Sequence, residues 1–307
     1  MLNIAHRGAA HLWPENTLTA FRNALAVPGC DGLELDVQLT ADGQAVVHHD
    51  YALKPDFTRD ASGAWLEAPG PNLSDLTLAE VRAFRIGRAR PGSPYAAAHG
   101  ELAGSDEQIP TLDEALEVFA GAGPDRRLLL ELKHPVRETL ARTDPERLIE
   151  TVAGALDRHA LWAQVTIVGF NWRVLRLLKA IRPQARQWFT TYPASWFLPG
   201  QPPPEHSPPA PEALAEYRRL MAGGAPWMDG CHPEAFGGSM GRAILAGGAD
   251  GWLVFGPDAD DGALTEARDL GLEIGVWGVD EPADFRRFRA LGVTAICTDR
   301  PDRLSSS

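Results

Sequence analysis

Short β-type runs alternate with segments of helical period along nearly the whole chain, and about eight such runs occur; together these predict an α/β protein folded as a TIM (β/α)8 barrel. A third observation concerns charge: histidine, arginine and carboxylates crowd the ends of several runs, where a parallel barrel builds its sites. The β-type runs are residues 2–5, 32–37, 45–48, 128–132, 165–169, 187–190, 273–277 and 293–297. Helical period marks 17–25, 113–119, 145–159, 172–181 and 282–291. Residues 226–229 and 250–255 also read as strand-like, so pattern alone leaves the barrel count open.

Two stretches break the rhythm. Residues 51–110 separate the third β-type run from the next helix by far more than a usual connection, which predicts an insertion carried on a barrel loop. Residues 193–211, with "PGQPPPEHSPPAP" at their heart, are too rich in proline for a helix and predict an extended, semi-rigid loop outside the barrel wall. No linker divides the chain, so residues 1–307 are expected to form a single domain with an insertion at about 51–110.

The net charge of −12 argues against a general nucleic-acid or anionic-membrane surface, since such partners are drawn by basic patches. Cys30, Cys231 and Cys297 are too few and too scattered for a disulfide framework and are expected to be reduced, buried thiols. There is no signal-peptide pattern at the start and no apolar run of membrane-spanning length, so a cytoplasmic protein without stable membrane insertion is expected.

The opening stretch "NIAHRGAAHLWPENT" sets His6 and Arg7 directly after a short apolar strand, a costly place for a cation and an imidazole unless an anionic group meets them there. In "GLELDVQLT", Leu33, Leu35 and Val37 alternate with Glu34 and Asp36. Taken alone this is equally a half-exposed strand with a solvated acidic face. In a parallel barrel the apolar set faces the helices, and the two carboxylates point inside, where they repel one another unless a cation binds them. "LLLELKH" repeats the pattern with Glu131 and Lys133, which in isolation read as an ion pair. Three inward carboxylates without a cysteine or dense histidine set suit one hard divalent cation, Mg2+ or Ca2+ rather than Zn2+.

"AVVHHDYAL" ends the third run with His48 and His49, of which alternation turns only one inward. Two imidazoles at strand ends supply a general acid and a general base, and Arg7 and Lys133 supply positive charge. Together with the cation, this set suits a doubly substituted phosphate. In "PENTLTAF", Asn16 or Thr17 is expected to cap the first helix, whereas Glu15 is placed to fix Arg7 or a metal-bound water.

The ordered set "HRG", "PENT", "ELDVQLTADGQAVVHHD", "IPTLDEAL", "LLELK", "IGVWGVD" and "GVTAICTDRPD" resembles the glycerophosphodiester phosphodiesterase family, from His6 to Pro301. The resemblance implies a TIM barrel with a small insertion after the third strand, a divalent metal, and hydrolysis of glycerophosphodiesters to glycerol 3-phosphate and an alcohol. Position by position, it implies His6 and His49 as the acid/base pair and Glu34, Asp36 and Glu131 as metal ligands. It further implies Arg7 and Lys133 as phosphate contacts and Trp277 as an aromatic on the glycerol side. His49 is preferred to His48 because it directly precedes Asp50, as in the family's "HD" pattern.

Two departures bear on the choice of alcohol and glycerol: Gly169-Phe170 stands where the family usually has Ser-Phe, and Trp277-Gly278-Val279-Asp280 where it usually has Trp-Thr-Val-Asn. Trp172, Trp196 and Phe197 are further aromatics that would either cradle a choline cation or anchor core and loops. The expected partner is a small-molecule glycerophosphodiester. Two other readings share these residues: a phospholipase-D-like cleavage giving a cyclic phosphate, and a noncatalytic barrel that binds an anion.

Overall fold

A computed structural model describes residues 1–99, 102, 104–136, 143–197 and 211–304. Its strands are β1 (Leu2–Ala5), β2 (Gly32–Leu39), β3 (Ala45–Val47), β4 (Arg127–Leu132), β5 (Val165–Gly169), β6 (Arg186–Thr190), β7 (Gly251–Phe255), β8 (Glu273–Trp277) and β9 (Ala295–Thr298). All but β3 pair in parallel in the order β1-β2-β4-β5-β6-β7-β8-β9, and β9 pairs with β1 to close the barrel. The TIM barrel expected from the alternation is therefore present, with one extra strand outside it.

That extra strand corrects the sequence reading. The third β-type run, expected to be a barrel strand, lies antiparallel to β2, with Val37 opposite Val47 and Leu39 opposite Ala45. Thr40 and Gln44 close the connection through hydrogen bonds, and Gly43 supplies a positive φ of 80°. So short a turn can only return the chain antiparallel, because a parallel partner needs a crossover of about a dozen residues or more. Of the two ambiguous stretches, Gly251–Phe255 is a barrel strand, whereas Pro226–Met228 is a turn of 3-10 helix.

The helices are α1 (Leu18–Ala26), α2 (Leu78–Val81), α3 (Pro94–His99), α4 (Leu112–Ala120), α5 (Pro145–His159), α6 (Trp172–Ile181), α7 (Pro211–Ala222), α8 (Met240–Ala246), α9 (Asp261–Asp269), α10 (Pro282–Ala290) and α11 (Pro301–Leu304). Local chemistry starts them: Thr17 accepts from the Ala20 N–H at the head of α1, and Thr111 with Glu114 forms a capping box at the head of α4. Leu33, Leu35 and Val37 of β2 pack outward among helix residues such as Phe21, Leu112 and Phe119, as the alternation requires.

Inside the barrel, Ile4, Leu129, Val168, Trp188 and Leu253 form a separate apolar plug. Trp188 fills the floor because its neighbours are small: a Cβ at Gly251 or Gly275 would collide with the indole. Between β3 and α4 the chain builds its own small core from Leu53, Phe57, Leu73, Val81 and Ile86, beside the barrel. Most of the proline-rich stretch expected to be an extended loop, residues 198–210, lies outside the described residues.

Candidate active site

The apolar plug occupies one end of the barrel and charge occupies the other, at the carboxyl ends of the strands. Along β2 and β4 the inward positions change from Leu129 to Glu34, Asp36 and Glu131, and Asp36 is the register partner of Glu131. Oxygens of these three carboxylates lie within 4.8 Å of one another. Glu34 and Asp36 are 3% and 1% exposed. Lys133, immediately after β4, sets its Nζ 2.9 Å from Glu131 Oε1 and 3.5 Å from Asp36 Oδ1.

Arg7 approaches from the turn after β1. Its backbone N–H donates to Glu34 Oε2 at 3.0 Å, its Nε lies 3.5 Å from Asp36 Oδ2, and its Nη1 donates to Glu15 Oε1 at 3.2 Å. Arg7 holds a left-handed backbone, φ 51°, and Gly8 follows at φ 82°, packed so closely that a Cβ would press on Ala20 and Phe21. The tight HRG turn thus aims a cation back into the barrel mouth. Asn16 does not cap α1, as one reading of the sequence expected; Thr17 does. Asn16 Nδ2 instead donates to Asp36 Oδ2 at 2.8 Å and fixes that carboxylate.

Two histidines flank the acids. His6 Nδ1 lies 2.8 Å from Asp299 Oδ1, which leaves Nε2 facing Glu34 Oε2 at 4.0 Å. His49 Nδ1 lies 3.2 Å from Asp50 Oδ1, an oxygen that also pairs with Lys54. His49 does not stand at a barrel strand end, contrary to the sequence reading; it sits on the loop that leaves β3. Gln38 of β2 ties this loop down by donating to the carbonyls of His48 and Asp50. His48 turns away and packs its buried ring on Phe57, with centroids 5.6 Å apart.

The electrostatics follow from burial beside unlike neighbours. Burial and nearby Asp36 push the Glu34 carboxyl up to about 8. Asp36, although buried, stays well below the usual carboxylate range because Lys133, His49 and Arg7 surround it. Burial opposes charge on His6, yet Asp299 carries it up to about 9; burial together with Arg7 and Lys133 lowers His49 to about 4. The two imidazoles therefore prefer opposite protonation states at neutral pH.

A sequence profile of the Glycerophosphoryl diester phosphodiesterase family matches residues 6–303. The chain belongs to this family. A glycerophosphodiester phosphodiesterase of Caldanaerobacter subterraneus subsp. tengcongensis is 33% identical over 185 residues, 60% of this chain and 64% of that protein. The chain thus spans less than two thirds of the length of that relative. A structure from Silicibacter pomeroyi assigned as a glycerophosphoryl diester phosphodiesterase superposes with TM-score 0.79 at 28% identity, over 98% of this chain and 90% of that one. A phosphodiesterase from Oleispira antarctica, solved with the product sn-glycerol-3-phosphate, shares the fold with TM-score 0.65 at 22% identity, over 99% and 94% of the two chains.

In this glycerophosphoryl diester phosphodiesterase family member the acidic group fits a divalent cation. Asp36 Oδ1 is buried and makes no hydrogen bond among the described residues, and it faces two further carboxylates close enough to share one ion. Trp277 ends β8 with its ring against Phe255, centroids 4.7 Å apart, and edge-on to Phe170 at 6.0 Å. Of the other aromatics, Trp172 is buried in the helix–strand layer and donates to the Thr190 carbonyl. Trp196 and Phe197 cluster with Tyr192 instead.

Sequence reasoning gave no role to Asp299, Asp50 or Tyr95, whose hydroxyl donates to Glu15 Oε2 at 3.2 Å. The first two lie inside the motifs "TDRPD" and "HHD", so position in a motif was an available signal. Tyr95 sits where the sequence carries no pattern. His11, Asp280 and Asp299 form a further His/Asp group beside His6, with His11 Nδ1 3.2 Å from Asp280 Oδ2.

Proposed function

We propose that this chain hydrolyses glycerophosphodiesters to glycerol 3-phosphate and an alcohol. Its basis is the meeting of three carboxylates from adjacent strands with two imidazoles, each tied through Nδ1 to a carboxylate of its own. Family membership and the product carried by the Oleispira relative support the substrate class. Glu34, Asp36 and Glu131 would hold one divalent ion, and an all-oxygen set favours Mg2+ or Ca2+. Such an ion, when bound, supplies Lewis-acid stabilisation of charge on the phosphoryl oxygens.

The side chains divide the remaining work. Arg7 and Lys133 bind the nonbridging oxygens, and Glu15 holds the Arg7 guanidinium in place. His49, kept neutral by burial among cations, takes a proton at Nε2 from the attacking nucleophile, a water in the direct hydrolysis, while Asp50 holds its Nδ1. His6, held as a cation by Asp299, gives its Nε2 proton to the leaving alkoxide. Trp277 walls the glycerol side. Cys30, Cys231 and Cys297 are free and buried, which fits a reducing compartment, and we assign the activity to cytoplasmic turnover of glycerolipid remnants. No helix among the described residues is long and apolar enough to cross a membrane.

Hydrolysis of glycerophosphocholine, followed with and without EDTA, tests this function. Chelator-sensitive release of choline and glycerol 3-phosphate supports it. Turnover indifferent to chelator removes the ion from the scheme, and inactivity on every member of a glycerophosphodiester panel removes the activity. Phosphorus NMR of the product mixture separates water attack, which yields the open monoester directly, from attack by the glycerol hydroxyl, which yields a cyclic phosphate first.

A further inference from the structure

The stretch after β3 reaches the barrel mouth through one helix. On α3, Tyr95 and His99 are one turn apart and stack with ring centroids 4.2 Å apart, and Phe57 packs against Tyr95 at 5.0 Å. His99 Nδ1 meets the Ala10 carbonyl at 3.1 Å, which docks the helix on the turn that carries Arg7. The Tyr95 hydroxyl donates to Glu15 Oε2, and the other oxygen of Glu15 accepts from Arg7 Nη1, each at 3.2 Å. Glu15 is buried, so its carboxylate depends on these two donors to stay in place.

Arg7 needs such support. Its backbone is left-handed, its side chain has several free torsions, and a phosphate gains from a guanidinium only when the planar fork is already oriented. From this geometry we infer that Tyr95 is a positioning residue, acting through Glu15 to orient the Arg7 guanidinium for a phosphodiester. This rests on Arg7 being the phosphate contact, as proposed above. It gives the segment between β3 and α4 a part in turnover without any contact with the reacting atoms.

The test uses the full-length, Mg2+-saturated protein with glycerophosphocholine as substrate and inorganic phosphate as the binding probe. Tyr95→Phe keeps the ring and its stacking and removes only the hydroxyl. It is expected to lower kcat/KM about fivefold to tenfold, the scale of one ordinary hydrogen bond, since the effect reaches the phosphate only through Glu15 and Arg7. Phosphate affinity should fall by a similar factor with Mg2+ affinity unchanged, and the thermal midpoint should drop by no more than a few degrees, the cost of one donor lost to buried Glu15. In an Arg7→Ala background, or in Arg7→Lys, which keeps charge but not the fork, the same substitution should have no further effect. A silent Tyr95→Phe beside a crippled Arg7→Ala overturns the positioning role alone, as does a full-size effect persisting in both Arg7 backgrounds. Unchanged turnover in Arg7→Ala overturns the phosphate-contact assignment and this inference together.

Discussion

Asp36 and Glu131 stand opposite one another across the parallel β2–β4 pair, and with Glu34 they turn three carboxylates into one buried space. Few arrangements in a folded core are less favourable without a cation, because burial and like charge both penalise ionisation. Lys133 and Arg7 compensate part of that charge. The consequences for stability and activity can be measured separately.

Raising the pH should destabilise the metal-free protein between about 6.5 and 8. Glu34, pushed up to about 8, and His6, pushed up to about 9, both bind more protons folded than unfolded in that window, so stability falls as pH rises through it. His49 and His48, both lowered in the fold, act only below their ordinary value of 6.5 and leave the window clear. Thermal melts in EDTA at several pH values should show the decline, and Glu34→Gln or saturating Mg2+ should make it shallower, leaving the part that His6 carries through its pairing with Asp299.

Lys133→Met should unfold the metal-free protein more readily, by about 3–5 kcal/mol, because it leaves Asp36 and Glu131 buried without their shared cation. Divalent metal should recover much of that loss, since whatever binds only the folded state stabilises it. Denaturant titrations with and without Mg2+ check both halves.

Replacing His6 or His49 by Ala should each lower kcat by about 10²-fold or more, the usual scale of general acid–base catalysis. His48→Ala should leave kcat within about twofold and cost about 1–3 kcal/mol of stability through lost packing on Phe57. Steady-state rates and melts of the three variants separate the adjacent histidines. Equal rates for His49→Ala and the parent would reverse the choice between them.

The barrel and its acidic end were legible because they rest on local pattern: alternation along β2 and β4 sorts Glu34, Asp36 and Glu131 from Leu33, Leu35 and Leu132 without knowledge of any partner strand. The third strand was misread because its composition is that of a barrel strand, and only the five residues of its turn, too few for a crossover, tell otherwise. The Asp299–His6 pair joins residues 293 positions apart, and Tyr95 meets Glu15 across 80. Such contacts are set by closure of the barrel and by the docking of α3, which no window of sequence contains.

Titration of Mg2+ into the metal-free protein by calorimetry, repeated on Glu34→Gln, Asp36→Asn and Glu131→Gln, addresses the three carboxylates most directly. One ion per chain in the parent, with affinity lost in all three variants alongside turnover of glycerophosphocholine, is the expected result. Undiminished binding in the variants, or full turnover where binding is abolished, would contradict a metal held between β2 and β4.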